Sequence, residues 1–177
     1  VMVSVTGARC SPMVTGIVYC SVLEGGCETH AFQRAAAWKD SLTEWCGDQP
    51  DLVAFTDSCL AHRSEILRLR GAWSEAAAEA LRATDAGARF SVAAQAMYQL
   101  AEIHRMRGDF DAAADSYRQV SLDGGDPMPG AALLKASHGA TEAAFDSLVD
   151  ALSETNDPFG RIRLLPAVVE LAVAAGR

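Results

Sequence analysis

Few of the 177 residues that could do chemistry stand at a useful spacing. Cys59 and His62 lie about one helical turn apart, so a thiol could meet an imidazole base. An apolar stripe that suits core packing follows Cys59 and no oxyanion motif accompanies it, which makes a packed thiol the expected role. Cys27 and His30 have two residues between them, and His62 lies near Glu65. Neither set has a companion pair at metal-ligand spacing, and CxxC and HExxH are absent, so neither metal nor cofactor is expected. The nucleophile motif GxSxG is absent, and so is a phosphate loop of the form GxxxxGK followed by Ser or Thr. The expectation is a chain that is not an enzyme. One charged pattern does recur: Glu65 with Arg68, and Glu102 with Arg105. Such an arginine can present a two-pronged donor to a partner's carboxylate. The plainer alternative is an ion pair within one helix, worth about 0.2–0.5 kcal/mol.

The elements that carry these residues show themselves as repeats. Segments 60–81 and 97–118 align, with LRLRGAWSEAAAEAL in the first and HRMRGDFDAAADSYR in the second. Leu60 pairs with Met97, Ser64 with Ala101, Gly71 with Gly108, Trp73 with Phe110, and Ala76 with Ala113. A weaker copy begins at Gly139 (GATEAAFDSLVDAL), where Ala144 replaces Ala113 and Leu148 replaces Tyr117. Gly176 follows another apolar run, so the successive glycine spacings are 37, 31 and 37 residues. Earlier, AFQRAAAWKDSLTEW matches on Phe32 and Ala35, after a turn holding Gly25 and Gly26. Two antiparallel helices with a tight turn need about 34 residues in tetratricopeptide repeats. Glycine ends the first helix in the left-handed conformation, an aromatic two positions later covers the turn, and alanine lets the helices approach. Each pair leaves apolar surface for the next to cover.

Apolar residues recur at helical spacing and no strand alternation is evident. Helices are expected over 12–27, 31–47, 52–70, 72–86, 91–107, 110–122, 130–137, 141–154 and 159–175. Ser11 would cap the first, with Pro12 in its opening turn. Pro166 should kink or restart the last. The stretch 123–130, DGGDPMPG, is a turn cluster. The expected fold is all-α: a right-handed α-α superhelix, a tetratricopeptide-like solenoid of antiparallel helix pairs, forming one domain over 1–177 with about four units. In such repeats partners bind the surface lined by the first helix of each pair. That rule selects Ser58, Ala61, Glu65, Arg68 and Leu69 in one repeat, and Gln95, Tyr98, Glu102, Arg105 and Met106 in the next. Trp73, Phe110 and Tyr117 are assigned to packing between repeats, and Tyr98 to the groove.

Beyond the repeats, the sequence resembles the helical-repeat region of large LuxR-type bacterial transcriptional regulators. The likeness lies in SPMVTGIVYCSVLEGGC, WCGDQPDLVAF, HRSEILRLRGAW, YQLAEIHRMRGDFDAAADSYRQ and PGAALL, nearly from end to end of the chain. It implies a non-catalytic region for protein interaction or signal sensing, between an ATPase-like module and a helix-turn-helix module. The chain is accordingly expected to be a segment of a longer protein, its partner a protein, a peptide or a neighbouring domain. Two alternatives stay open: a free-standing adaptor for peptide segments, and a superhelix that binds a small-molecule effector.

Composition narrows the partners. Half the residues are hydrophobic, which favours a packed chain over a disordered one. A formal net charge of −8 disfavours direct contact with nucleic acid or anionic membrane. Arg63, Arg68 and Arg70 form a local basic cluster, expected to be one solvated helix face. The five cysteines, Cys10, Cys20, Cys27, Cys46 and Cys59, form no paired framework, which points to a reducing, cytoplasmic setting. Residues 1–6 carry no secretory signal. The longest apolar stretch, 164–175, is broken by Pro166 and Glu170 and falls short of the roughly 20 residues that span a bilayer. That apolar stretch is the expected contact surface for a homo-oligomer.

Overall fold

A computed structural model of the chain describes residues 12–29, 31–47, 53–85 and 90–177. Among these residues the secondary structure is all helical: α1 (Pro12–Glu28), α2 (Phe32–Gly47), α3 (Val53–Leu69), α4 (Trp73–Asp85), α5 (Phe90–Arg107), α6 (Phe110–Leu122), α7 (Gly130–Ser137), α8 (Thr141–Glu154) and α9 (Pro158–Ala174). Helices α6, α7 and α8 begin and end where the spacing places them, and the other boundaries differ by at most one residue. The expected cap Ser11 and the expected ends at Leu52 and Ala86 lie outside the described residues. None of the described helices is long and apolar enough to cross a membrane.

The helix ends follow from one local device. At Gly71, with φ +80°, the glycine N–H donates to the Arg68 carbonyl at 3.0 Å and Ala72 N–H donates to the Leu67 carbonyl at 2.9 Å. Two carbonyls that would otherwise lack partners are satisfied, provided the residue between tolerates the left-handed region. Gly108 repeats this pair of bonds, through Arg105 at 3.1 Å and, from Asp109, through His104 at 2.9 Å. The same pair recurs at Gly124, Gly139 and Gly176. Gly124, inside the turn cluster, is the one of these five that the repeat alignment does not mark. At the other end, Asp157 caps α9 by accepting from Gly160 N–H at 2.6 Å, with Pro158 in the first turn. Of the two outcomes expected at Pro166, a restart does not occur: α9 runs through it as one helix. The lost N–H leaves the Ile162 carbonyl without its helical donor, and both residues are exposed, so water can serve it.

The chain divides into two compact units, Val1–Val92 and Ala93–Arg177. In the first, α1 packs on α2 and α3, and α3 packs on α2 and α4. Tyr19, Leu23, Ala35, Trp38, Cys59 and Ile66 form its core, with Tyr19 edge-on to Trp38 at 5.5 Å between ring centroids. Helices α1 and α2 approach closely: a Cβ at Gly26 would lie 2.9 Å from that of Ala35. Ala76, Ala80 and Ala83 of α4 are fully buried, and Ser64 of α3 donates its hydroxyl to the Ala76 carbonyl at 2.8 Å.

In the second unit α7 packs on α6, α8 and α9, and α8 packs on α9. One cluster joins Ala101 of α5, Ala113 and Tyr117 of α6, and Leu134 of α7. Another joins Ala132 of α7, Ala144 and Leu148 of α8, and Leu164, Ala167 and Leu171 of α9. The core positions obey the repeat alignment. Cys59 and Ala96, His62 and Gln99, Ser64 and Ala101, Ile66 and Ile103, Ala76 and Ala113, and Ala83 and Val120 are all buried.

Candidate functional site

Gln95, Tyr98, Glu102 and Arg105 recur on α5 at spacings of three and four residues, which puts them along one face. Glu102 is only 6 % exposed. A carboxylate this deep needs donors, and two helices supply them. Tyr117, from α6, donates its hydroxyl to Glu102 Oε1. Arg105, one turn along α5, donates from Nε to Oε1 at 3.2 Å and from Nη2 to Oε2 at 3.0 Å. The guanidinium forks onto both carboxylate oxygens, the strongest arrangement for this pair of groups. Tyr98 packs edge-on against Tyr117, with 5.9 Å between centroids and 62° between planes.

A third helix closes over this bond. Gly130, the first residue of α7, lies so near that an added Cβ would sit 2.6 Å from Tyr117 Cζ. It would also collide with the Tyr117 hydroxyl and Glu102 Oε1. Glycine is required here by close approach, not by backbone conformation.

The electrostatics keep the donors as donors. Burial alone would lower the pKa of Arg105, but the hydrogen bond and charge of Glu102 outweigh it and the net shift is upward. Burial raises the pKa of Tyr117, and the neighbouring charge and hydrogen bond of Glu102 raise it further. Both Glu102 oxygens accept from these donors, so the carboxylate is a structural anchor instead of a ready proton acceptor. Arg105 gives two of its five N–H donors to Glu102, and 22 % of its side chain stays exposed.

The corresponding set in the first unit differs. Glu65 and Arg68 are half-buried on α3, and Ser58 lies on the same helix, though its side chain is outside the described residues. Ala61, placed in the groove by the repeat alignment, is fully buried. Leu69 and its counterpart Met106 are exposed to the same extent, 42 %. The basic cluster needs correcting: Arg63 is not on a solvated face. It pairs with Glu79 of α4 at 2.7 Å, both side chains largely covered, and so ties α3 to α4. Arg70 is exposed as expected.

The structure therefore brings Tyr98, Glu102 and Arg105 together and adds Tyr117, whose hydroxyl the packing assignment overlooked. Gln95 lies half-buried about one turn before Tyr98. The signal in the sequence was a hydroxyl-bearing aromatic where the neighbouring repeats carry Ala80 and Leu148. Cys59 and His62 are both buried, and Cys59 belongs to the apolar core of its unit, as the packing role requires. Cys10 and His30 lie outside the described residues, as do the side chains of Cys20, Cys27 and Cys46. Among the described residues no group of three His, Cys, Asp or Glu side chains could hold a metal ion. Comparison of the chain with protein-family models, with curated proteins and with solved structures finds no match.

Proposed function

We propose that this chain is a partner-binding helical-repeat domain, a right-handed α-α superhelix of the tetratricopeptide kind, and that it serves as the interaction or sensing region of a LuxR-type transcriptional regulator. The observation that carries the repeat reading is the shared pattern of burial and helix ending in α3–α4 and α5–α6, 37 residues apart. The same buried positions, Ser64 and Ala101, Ala76 and Ala113, sit on either side of the same glycine turn. Repeats of this kind present the first helix of each pair to a partner. On α5 that face holds Gln95, Tyr98 and an Arg105 guanidinium fixed by Glu102. On α3 it holds Ser58, Glu65 and Arg68. The expected ligand is a peptide segment whose carboxylate, terminal or side chain, meets an arginine fork.

Selection from a displayed library of peptides with free C-termini tests the binding role. The wild-type chain should enrich an acidic or carboxy-terminal motif, and Arg68→Glu should weaken that enrichment with the helical spectrum unchanged. A library that yields no enriched motif overturns peptide binding, and stabilisation by a metabolite panel in its place moves the reading to a small-molecule effector. The regulator role requires an ATPase-like module and a helix-turn-helix module encoded on either side of this segment. Finding neither there removes that role while leaving the peptide result intact.

A further inference from the structure

Helix α9 is apolar on both of its faces. Leu164, Ala167 and Leu171 are buried against α7 and α8, while Ile162, Leu165, Val169 and Val173 point the opposite way at 100° per residue. Val169 is 61 % exposed and Val173 is 74 % exposed. A helix with two opposed apolar faces is one suited to being covered on both sides. Together with Phe159, these side chains expose on the order of 500 Å² of apolar surface, the size of patch that marks an interaction site.

The repeat alignment shows what this face is built to receive. Val169 stands where Ser64, Ala101 and Ala132 stand in the preceding units. Each of those three is buried, and each lies against the antiparallel helix that follows it. Ser64 bonds to Ala76, Ala101 clusters with Ala113, and Ala132 clusters with Ala144. The face of α9 thus has the position that accepts an antiparallel helix in the preceding units, and an apolar surface to offer it.

We propose that the α9 of a second copy fills that place, giving a two-fold homodimer with the two α9 helices antiparallel. The charges specify this occupant. Arg163 and Glu170 are both exposed on one flank of the apolar stripe, two turns apart. About a two-fold axis at Ala167, Arg163 of each copy meets Glu170 of the other, because the same flank of two antiparallel helices faces itself. The same axis sets Ile162 against Val173 and Leu165 against Val169. The midpoints of all three pairs fall within one residue of Ala167. A parallel two-fold pairing would put the two charged flanks on opposite edges of the contact, with no Arg163–Glu170 bridge across it. Two such patches remove on the order of 1,000 Å² from water, the lower bound of a specific interface. The dimer does not depend on peptide binding by α3 or α5.

Sedimentation equilibrium of the 177-residue chain from about 1 to about 100 µM, the range suited to an interface of this size, tests it. A monomer–dimer equilibrium is expected, with Val169→Glu weakening it at least about a hundredfold at unchanged helicity. Arg163→Glu and Glu170→Arg should each weaken it about tenfold, and the double swap should restore it. Arg163 also pairs within the chain with Asp126, so Asp126→Asn serves as the control and should leave the dimer intact. A chain that stays monomeric at 100 µM overturns the proposal and leaves the face to an unlike helix. A dimer that survives Val169→Glu overturns it as well, and single and double charge variants of equal affinity overturn the antiparallel pairing.

Discussion

Replacing Gly130 by alanine sets two effects of opposite sign against each other. In an open helix the change stabilises, by up to about 1 kcal/mol, because alanine loses less backbone entropy on folding. Here the new Cβ would sit 2.6 Å from Tyr117 Cζ and collide with the bonded Tyr117 hydroxyl and Glu102 carboxylate. The atoms it would meet belong to a ring and a carboxylate, both held by packing, so one of them has to move. Overpacking of this kind costs about 1–3 kcal/mol. Displacing a hydrogen bond to a buried charged group adds about 1.5–3 kcal/mol. Even after the propensity gain, a net loss of roughly 1.5–5 kcal/mol is expected.

Urea unfolding followed by far-ultraviolet circular dichroism measures that loss. Tyr117→Phe should cost about 1.5–3 kcal/mol alone, by deleting the donor to Glu102. Combined with Gly130→Ala it should cost less than the sum, because the hydroxyl that the new methyl would strike is already gone. A coupling of roughly 0.5–3 kcal/mol is expected for groups in direct contact. A Gly130→Ala protein as stable as the wild type, or two losses that simply add, would refute the closeness of α7 to the Tyr117–Glu102 bond.

Adjacent glycines in α1 should respond with opposite signs. Gly25→Ala meets nothing within 4 Å and should raise stability by about 0.5–1 kcal/mol, whereas Gly26→Ala, 2.9 Å from the Ala35 Cβ, should lower it by about 1–3 kcal/mol. Thermal melts of the two single variants decide this. Ser64→Ala should cost about 0.5–1.5 kcal/mol in denaturant titrations, the net value of one hydrogen bond; it leaves no steric problem, since Ala101 fills the matching place. Tyr117 predicts an alkaline limit. Its folded pKa lies above the ordinary 10.0, so its contribution is complete below that pH and is lost as the unfolded chain ionises above it. Stability should fall by about 1.4 kcal/mol per pH unit beyond pH 10 on account of this group, and the same titration of Tyr117→Phe should show a shallower decline.

Much of the fold was legible because glycine and alanine carry positional meaning in helix pairs. Gly71, Gly108, Gly139 and Gly176 stand at helix ends with positive φ, where their spacing put them. Ala76, Ala113 and Ala144, one in each pair, are fully buried. The polar network was not legible. Glu65–Arg68 and Glu102–Arg105 look identical as sequence, yet Glu102 is buried and forked by Arg105, while on α3 the pairing that ties helix to helix is Arg63 with Glu79. The difference comes from the facing helix: Tyr117 stands where Ala80 stands, and a methyl group cannot bond a carboxylate. Charge spacing within one helix says nothing of what the next helix offers it. The two faces of α9 were hidden for a similar reason, since an apolar run does not say which of its sides is covered.

One polar node joins three helices, and this bears on how α5 could recognise a partner. Glu102 comes from α5, Tyr117 from α6 and Gly130 from α7, and moving any of them disturbs the other two. Arg105 is fastened to the same node at two points, so its guanidinium plane is set before any ligand arrives. An arginine held in that way loses little side-chain freedom on forking to a second carboxylate, which lowers the entropic cost of binding. The fixed orientation also selects for a planar, two-oxygen group over a single acceptor. A ladder of glutamate and arginine pairs therefore need not act as equivalent rungs. On the partner-binding reading, α5 supplies a preorganised contact because Tyr117 occupies the place of an alanine.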